Sequence, residues 1–220
     1  MKNDPIRIND TACVLIPTKE CGEEMVGLLD IDRVFLLDQT KVSSQNIFGN
    51  SKSPLARITV KNLLRKAIES LPSQYGVVLI ESYRDYNFQK RLFRDRVEDL
   101  MKQNKISREI AEVEASLFVS NPDIYSPHVT GGAIDIGLIH LDSKELLEMG
   151  NNLDYNESAR TDYLNLSTSQ KGNRQLLFKV MTESGFVNYP FEWWHWSYGD
   201  KYWAMVKEKP FAIYDSLKTI

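Results

Sequence analysis

The sequence has few cysteines and lacks any long apolar run. Its two cysteines, Cys13 and Cys21, do not have the C-x-x-C spacing of a redox or zinc-binding pair. We expect two free thiols, and a disulfide between them is the alternative. The apolar stretch at residues 12–16 is too short for the core of a signal peptide, and no later run approaches the length of a membrane span. These absences predict a cytoplasmic protein with no membrane partner.

The chain also lacks an excess of charge of either sign. Lys and Arg number 27 and Asp and Glu number 30, which gives a net charge of -3. A nucleic-acid partner requires a basic face, so none is expected. We find no repeat and no linker, and 220 residues can bury an ample core, so the sequence predicts one domain, 1–220. Such a core needs no metal to fold, and any metal is expected to serve chemistry.

Apolar periodicity predicts helices mixed with short strands. Helical spacing predicts helices over residues 60–71, 87–103 and 107–118, and another that contains Leu176 to Met181 and ends at Gly185. Strand patterns are found at residues 77–84, 133–140, 191–198 and, more weakly, 202–206. Helices segregated from several short strands predict an α+β fold with a mainly antiparallel sheet flanked by helices.

Two of the three histidines lie in unusual surroundings. His128 lies in Ser-Pro-His-Val-Thr-Gly-Gly-Ala-Ile-Asp, which ends at Asp135, and His195 lies in Glu-Trp-Trp-His, which begins at Glu192. The glycines allow a tight turn after His128, so that His128 and Asp135 can point into one cleft. With His195 from a neighbouring strand, they would form the three-ligand set of a catalytic zinc site, which leaves the fourth position open.

Glu192 is the candidate general base, although its spacing from His195 does not suit a regular strand. Residues three apart on a strand face opposite sides of the sheet. For both side chains to serve one metal, the chain must bulge or the strand must begin between them, and we expect this irregularity near Trp193. Glu192 would then take a proton from a zinc-bound water and pass it to the leaving amine.

Each of these residues also has a plainer interpretation. A histidine beside tryptophans is usually a packed core residue, Asp135 is compatible with capping a turn, and Glu192 or Arg84 with an ordinary surface charge. Their joint occurrence in two motifs favours the metal site.

In these motifs the sequence resembles the zinc D,D-peptidase family, and within it the D-alanyl-D-alanine dipeptidases of the VanX type. Residues 126–135 meet the family pattern S-x-H-x-x-G-x-A-x-D, and residues 192–195 meet E-x-W-H. The resemblance extends over residues 77–204 and implies the Hedgehog/DD-peptidase-like fold. It also implies one Zn²⁺ per chain, with Glu192 as catalytic base and with three metal ligands: His128, Asp135 and His195.

The resemblance implies further substrate-binding residues. Arg84 lies in Ser-Tyr-Arg, where the family has Gly-Tyr-Arg, and is implied to polarise the scissile carbonyl and stabilise the oxyanion. Ser126 is implied to help hold the substrate. Asp154, which ends the family-like segment at residues 149–154, is implied to pair with the free amino terminus of a dipeptide. A further match at residues 46–49 is loose.

These features predict a metallopeptidase of cell-wall (peptidoglycan) metabolism that hydrolyses D-Ala-D-Ala, or a similar D,D-dipeptide. One alternative is a D,D-carboxypeptidase acting on cell-wall peptides, which shares the metal pattern. The Asp154 segment and the lack of a signal peptide favour the dipeptidase. A second alternative is a catalytically silent zinc-containing binding module, which would need neither Glu192 nor Arg84.

Overall fold

The structure, a computed structural model, describes residues 5–38 and 54–218, so the loose family match at residues 46–49 lies outside it. The chain divides into two compact units. The first comprises Met1–Cys21, Arg84–Gly131 and Gly199–Ile220, and the second Gly22–Tyr83 and Gly132–Tyr198. The prediction of one domain, 1–220, stays a prediction.

The second unit is built on β-sheet. In chain order its described strands are β1 (Met25–Gly27), β2 (Val34–Leu36), β3 (Leu55–Arg57), β4 (Tyr75–Glu81), β5 (Ala133–His140), β6 (Val187–Asn188) and β7 (His195–Ser197). Five of them form a sheet in the order β2-β4-β5-β7-β6, in which β2 and β4 are parallel and the other neighbours antiparallel. The remaining two, β1 and β3, form an antiparallel pair.

Both units contain helices. They are α1 (Thr11–Val14), α2 (Ile58–Glu69), α3 (Tyr86–Asn104), α4 (Arg108–Ala115), α5 (Thr168–Ser184) and α6 (Lys201–Val206). No helix in the described part of the chain has the length and apolar content needed to cross a bilayer. The combination of helices with a mainly antiparallel sheet confirms the predicted α+β fold.

The helices α2 and α5 of the second unit follow the predicted apolar spacing. Both bury the face on which their apolar residues recur. At the start of α5, Ser167 and Gln170 form a capping box, in which each side chain bonds the backbone N–H of the other residue. The helix ends at Gly185, as predicted, where φ is 123°.

In the first unit, α3 and α4 are the helices predicted at residues 87–103 and 107–118, although α4 ends at Ala115. Their contact is apolar and contains Phe93, Val97, Leu100, Ala111 and Ala115. The carboxylate of Asp85 begins α3 by accepting a hydrogen bond from the N–H of Phe88 at 2.8 Å.

The strand β5 lies between β4 and β7 in the sheet. Alternation predicts one core-facing row, but every residue from Ala133 to Ile139 is buried, so both faces of β5 are covered. Asp135 lies directly opposite His195 of β7. Because directly opposed residues of antiparallel strands point to the same face, the sheet brings these two side chains together.

The prediction of a strand at residues 202–206 is wrong, because this segment forms α6. The aromatic residues there favour a strand by propensity, but the carboxylate of Asp200 accepts a hydrogen bond from the N–H of Trp203 at 2.8 Å and caps a helix. The strand predicted at residues 191–198 is too long, since the strand in the structure is confined to His195–Ser197. Similarly, β4 ends at Glu81, three residues before Arg84.

Candidate active site

His128 lies in a buried 3₁₀ turn, Pro127–Thr130. The hydroxyl of Thr130 closes this turn by donating to the carbonyl of Pro127 at 2.6 Å. The turn ends at Gly131, whose φ of 72° lies in the left-handed region that a residue with a Cβ adopts only at a cost. The tight turn predicted from the glycines after His128 is therefore confirmed.

Asp135 and His195 are buried side by side, with 5% and 2% of their surfaces exposed. The imidazole Nδ1 of His195 lies 3.0 Å from Oδ1 of Asp135. The other ring nitrogen, Nε2, lies 3.3 Å from the hydroxyl of the fully buried Ser197. The ring is thus oriented with Nδ1 towards the carboxylate, and Ser197 supports it from the opposite edge.

Glu192 precedes β7 and lies in a turn rather than in the sheet. The strand begins at His195, which confirms the predicted irregularity between the two residues. Oε2 of Glu192 is 3.9 Å from Nδ1 of His195, and 18% of the glutamate side chain is exposed. A half-buried carboxylate therefore lies beside the nitrogen that faces Asp135.

The side chains of Asp135 and His195, both in the second unit, have the spacing of two ligands of one zinc ion. The third predicted ligand, His128, belongs to the first unit. Two ligands that bind one tetrahedral zinc at normal bond lengths are about 3.3 Å apart, close to the 3.0 Å between His195 Nδ1 and Asp135 Oδ1. An imidazole and a carboxylate are also donors that suit Zn²⁺.

Arg84 is buried in the loop that follows β4. Its backbone N–H donates to the carbonyl of His128 at 3.1 Å, which ties it to the histidine turn. Its guanidinium donates from Nη1 to Oε1 of Gln89, and the amide of Gln89 donates to the carbonyl of Ser120 at 2.7 Å. The fully buried Gln89, which sequence reasoning missed, thus orients the arginine.

The two predicted substrate-binding residues have different environments. Ser126 is buried at the position before the histidine turn, and its hydroxyl does not cap that turn. Asp154 is half-buried in the segment between β5 and α5, and its backbone N–H and C=O each bond the side chain of Asn151 at 3.1 Å. Within residues 5–38 and 54–218, no hydrogen bond or ion pair reaches the carboxylate of Asp154.

Asn188 and Ser197 contact the candidate site but were not predicted. The amide of Asn188 donates to the carbonyls of Glu192 at 3.2 Å and His195 at 3.0 Å, which fixes the turn between them. The period of two along a strand would have placed Ser197 on the same face as His195. No comparable signal was available for Asn188, which acts on this turn through main-chain carbonyls.

The chain matches the model of the D-Ala-D-Ala dipeptidase family, Peptidase_M15, over residues 29–214. It belongs to this family. The match confirms the resemblance seen in the two motifs and the prediction that the chain is an enzyme of the metallopeptidase class.

Relatives in the family include bacterial proteins named D-alanyl-D-alanine dipeptidase. The one from Enterococcus faecalis is 33% identical over 144 residues, which cover 63% of this chain and 70% of the relative. The one from Synechocystis is 25% identical over 219 residues, which cover 86% of this chain and 87% of the relative.

Two solved structures of the vancomycin-resistance D,D-pentapeptidase VanY are also similar. A variant in complex with Zn(II) has a TM-score of 0.45 at 17% identity and covers 71% of this chain and 79% of VanY. VanYB in complex with D-Ala-D-Ala has a TM-score of 0.46 at 18% identity and covers 72% of this chain and 81% of VanYB. The family assignment rests on the sequence match and not on these likenesses.

Proposed function

We propose that the protein is a zinc-dependent dipeptidase that hydrolyses D-Ala-D-Ala to two D-alanines. In this proposal one Zn²⁺ per chain is held by His128, Asp135 and His195. The observation that carries it is the position of His195 Nδ1, which lies 3.0 Å from the carboxylate of Asp135 and 3.9 Å from that of Glu192. Two of the proposed ligands and the proposed base therefore lie together in a member of the D-Ala-D-Ala dipeptidase family.

When bound, Zn²⁺ would supply the positive charge that polarises the scissile carbonyl and lowers the pKa of water to about 7. Glu192 accepts a proton from the attacking water and later donates it to the nitrogen of the leaving amino acid. Its half-buried position supports this role, because the carboxylate is accessible to substrate while Asn188 bonds the carbonyl of the same residue.

Arg84 stabilises the negative charge that develops on the carbonyl oxygen during attack. A guanidinium held by a buried partner contributes most to such stabilisation, because it needs little reorganisation when the charge appears. Its hydrogen bond to Gln89 supports this role. The buried hydroxyl of Ser126 helps to hold the peptide.

Asp154 binds the ammonium group at the amino terminus of the substrate. In a longer peptide the corresponding nitrogen is an uncharged amide, which would leave the carboxylate without a counter-charge. The proposal therefore includes a preference for free dipeptides over the ends of cell-wall peptides. It also places the enzyme in the cytoplasm, where it would act on free D-Ala-D-Ala destined for the wall, and immunoblotting of cell fractions tests this location.

The experiment that tests the activity compares three substrates. Purified protein is incubated with D-Ala-D-Ala, with L-Ala-L-Ala and with a pentapeptide ending in D-Ala-D-Ala, each with and without a chelator, and released alanine is measured. We expect release from D-Ala-D-Ala alone, its loss with the chelator and its return with added Zn²⁺. Release from the pentapeptide but not the dipeptide would indicate a D,D-carboxypeptidase, and no release despite bound zinc would indicate a binding module.

A further inference from the structure

Arg174 is a charged residue on the buried face of α5. It lies three and seven residues before Leu177 and Met181, so helical spacing puts all three on one face, and 4% of Arg174 is exposed. A leucine or methionine at this position would avoid the cost of burying a charge. The arginine therefore needs an explanation beyond packing.

The guanidinium of Arg174 uses each of its three nitrogens to bond a backbone carbonyl. Nε donates to Met149 at 2.7 Å, Nη1 to Arg160 at 2.6 Å and Nη2 to Ser158 at 2.8 Å. Burial lowers the pKa of Arg174 to about 10, so the group stays charged at neutral pH. Three charge-assisted hydrogen bonds offset the desolvation of this charge.

These three carbonyls lie at the two ends of one segment, residues 149–160, which contains Asp154. Within the segment, the amide of Asn151 donates to the carbonyl of Asp154 at 3.1 Å and to the hydroxyl of Ser158 at 2.7 Å. Arg174 therefore clamps the ends of the segment, and Asn151 connects the clamped end to the backbone of Asp154.

Arg174 also contacts the turn that carries Glu192. Its guanidinium carbon lies 5.7 Å from the ring centroid of Trp193, within the range of a cation–π contact. The backbone N–H of Trp193 donates to the carbonyl of Ala159 at 2.9 Å, so the clamped segment and the turn are also bonded directly. One buried cation thus contacts both the segment of Asp154 and the neighbour of Glu192.

We propose that Arg174 is a positioning residue that fixes Asp154 relative to Glu192, and that it thereby selects dipeptides with a free ammonium group. The inference rests on the proposed function for its consequence in catalysis. Its structural part, the coupling of residues 149–160 to the Glu192 turn, does not depend on the substrate.

The test compares Arg174→Met, which keeps apolar volume and removes the charge, with Arg174→Lys, which keeps the charge but not three donors in a planar fork. Lys179→Met is the matched control, because Lys179 is exposed on the same helix. Hydrogen–deuterium exchange is measured without substrate on peptides covering residues 149–160 and 189–194. We expect faster exchange in both peptides in Arg174→Met, an intermediate rate in Arg174→Lys and no change in the control.

Kinetics on D-Ala-D-Ala and on N-acetyl-D-Ala-D-Ala provide the second readout. For Arg174→Met we expect KM for D-Ala-D-Ala to rise between about 10- and 100-fold, as for a displaced binding group, with bound zinc unchanged. The preference for the free dipeptide over the acetylated one should fall by a similar factor. Arg174→Lys should recover part of this preference, a recovery that a merely structural role would not produce.

Unchanged exchange in both peptides of Arg174→Met would overturn the proposal, and so would a loss of kcat with KM and the preference unchanged. If Arg174→Met does not fold, the same two readouts on Arg174→Lys decide the question. If the wild-type protein hydrolyses no dipeptide but the exchange changes as expected, the dipeptidase proposal fails while the positioning role of Arg174 stands.

Discussion

Glu192 and His195 occupy different structural settings although they are three residues apart. His195 belongs to the ladder between β5 and β7, whereas Glu192 lies in the turn before it, with its backbone N–H donating to the carbonyl of Tyr189 at 2.9 Å. The turn lets both side chains approach the same point, which a continuous strand would prevent.

Replacing Glu192 by glutamine tests its role as a base, because glutamine keeps the size of the side chain but accepts no proton. We expect Glu192→Gln to retain one zinc per chain and to lose at least about 100-fold in kcat on D-Ala-D-Ala. Metal content by atomic absorption and steady-state kinetics measure the two quantities. Glu183→Gln, an exposed change on α5, is the control, and near-normal turnover in Glu192→Gln would refute the assignment.

At the scale of elements, the longer helices and the central strand could be predicted from the sequence, but the short strands and the short helices α1 and α6 could not. The periodicities of α2, α5 and β5 extend over many residues, so a local error changes little. The helical structure of residues 201–206 depends on a single cap by Asp200. The turn at residues 191–194 depends on the hydrogen bonds of Asn188. Such contacts decide short segments and leave no periodic signal.

Part of the candidate site could likewise be predicted from the sequence, and part could not. The proposed ligands and base lie in two compact motifs, so their chemistry could be predicted from residue types at fixed spacing. Gln89 and Arg174 were missed because they act through hydrogen bonds to Arg84 and to backbone carbonyls of other segments. For Arg174, its place on the apolar face of α5 was the available signal, since a charge at such a position requires buried partners.

Gly172 offers a test of the helical character of α5. It lies inside the helix, and a Cβ added there would meet no atom within 4 Å. We therefore expect Gly172→Ala to raise the free energy of unfolding by about 0.5–1 kcal/mol, since alanine loses less backbone entropy on folding.

Gly150→Ala is the contrasting variant, because φ at Gly150 is +76° and the added Cβ would overlap Cδ2 of Leu166. This change should destabilise the protein. Urea unfolding measures both free energies, and a destabilised Gly172→Ala would contradict the prediction.

For the whole molecule, we expect the metal to serve catalysis and not folding. The buried residues of β4, β5 and their neighbours are mainly apolar, so most of this core does not depend on the proposed ligands. Removing zinc with a chelator should abolish alanine release but leave the far-ultraviolet circular dichroism spectrum unchanged, with a lower Tm because bound metal stabilises only the folded state. Adding Zn²⁺ back should restore activity, and unfolding on chelation would contradict this expectation.

The first unit buries one cysteine thiol and two tyrosine hydroxyls. Because these groups lose their protons at high pH, they limit the stability of the folded protein there. Burial raises the pKa of the Cys13 thiol from 9.0 to about 12 and raises the pKa values of Tyr125 and Tyr202 above their ordinary value of 10.0. When folding raises the pKa of an acid, the stability that this acid contributes is fully present at any pH below the pKa of the unfolded state. This stability is lost as the pH rises through the pKa of the folded state.

The urea midpoint should therefore fall as the pH rises above about 9. Tyr202→Phe removes one titrating group and should reduce this slope between pH 8 and 11. A midpoint that is independent of pH over this range would contradict the prediction.

The turn before β7 has a consequence for how such an enzyme can change over evolution. Because Glu192 is outside the hydrogen-bonded ladder while His195 and Asp135 are opposite each other within it, substitutions in residues 190–193 can alter the reach of the proposed base without shifting the register of these two proposed ligands. Reactivity and metal affinity are thus separately adjustable traits, and libraries confined to these four residues should yield variants that differ in turnover but bind zinc alike.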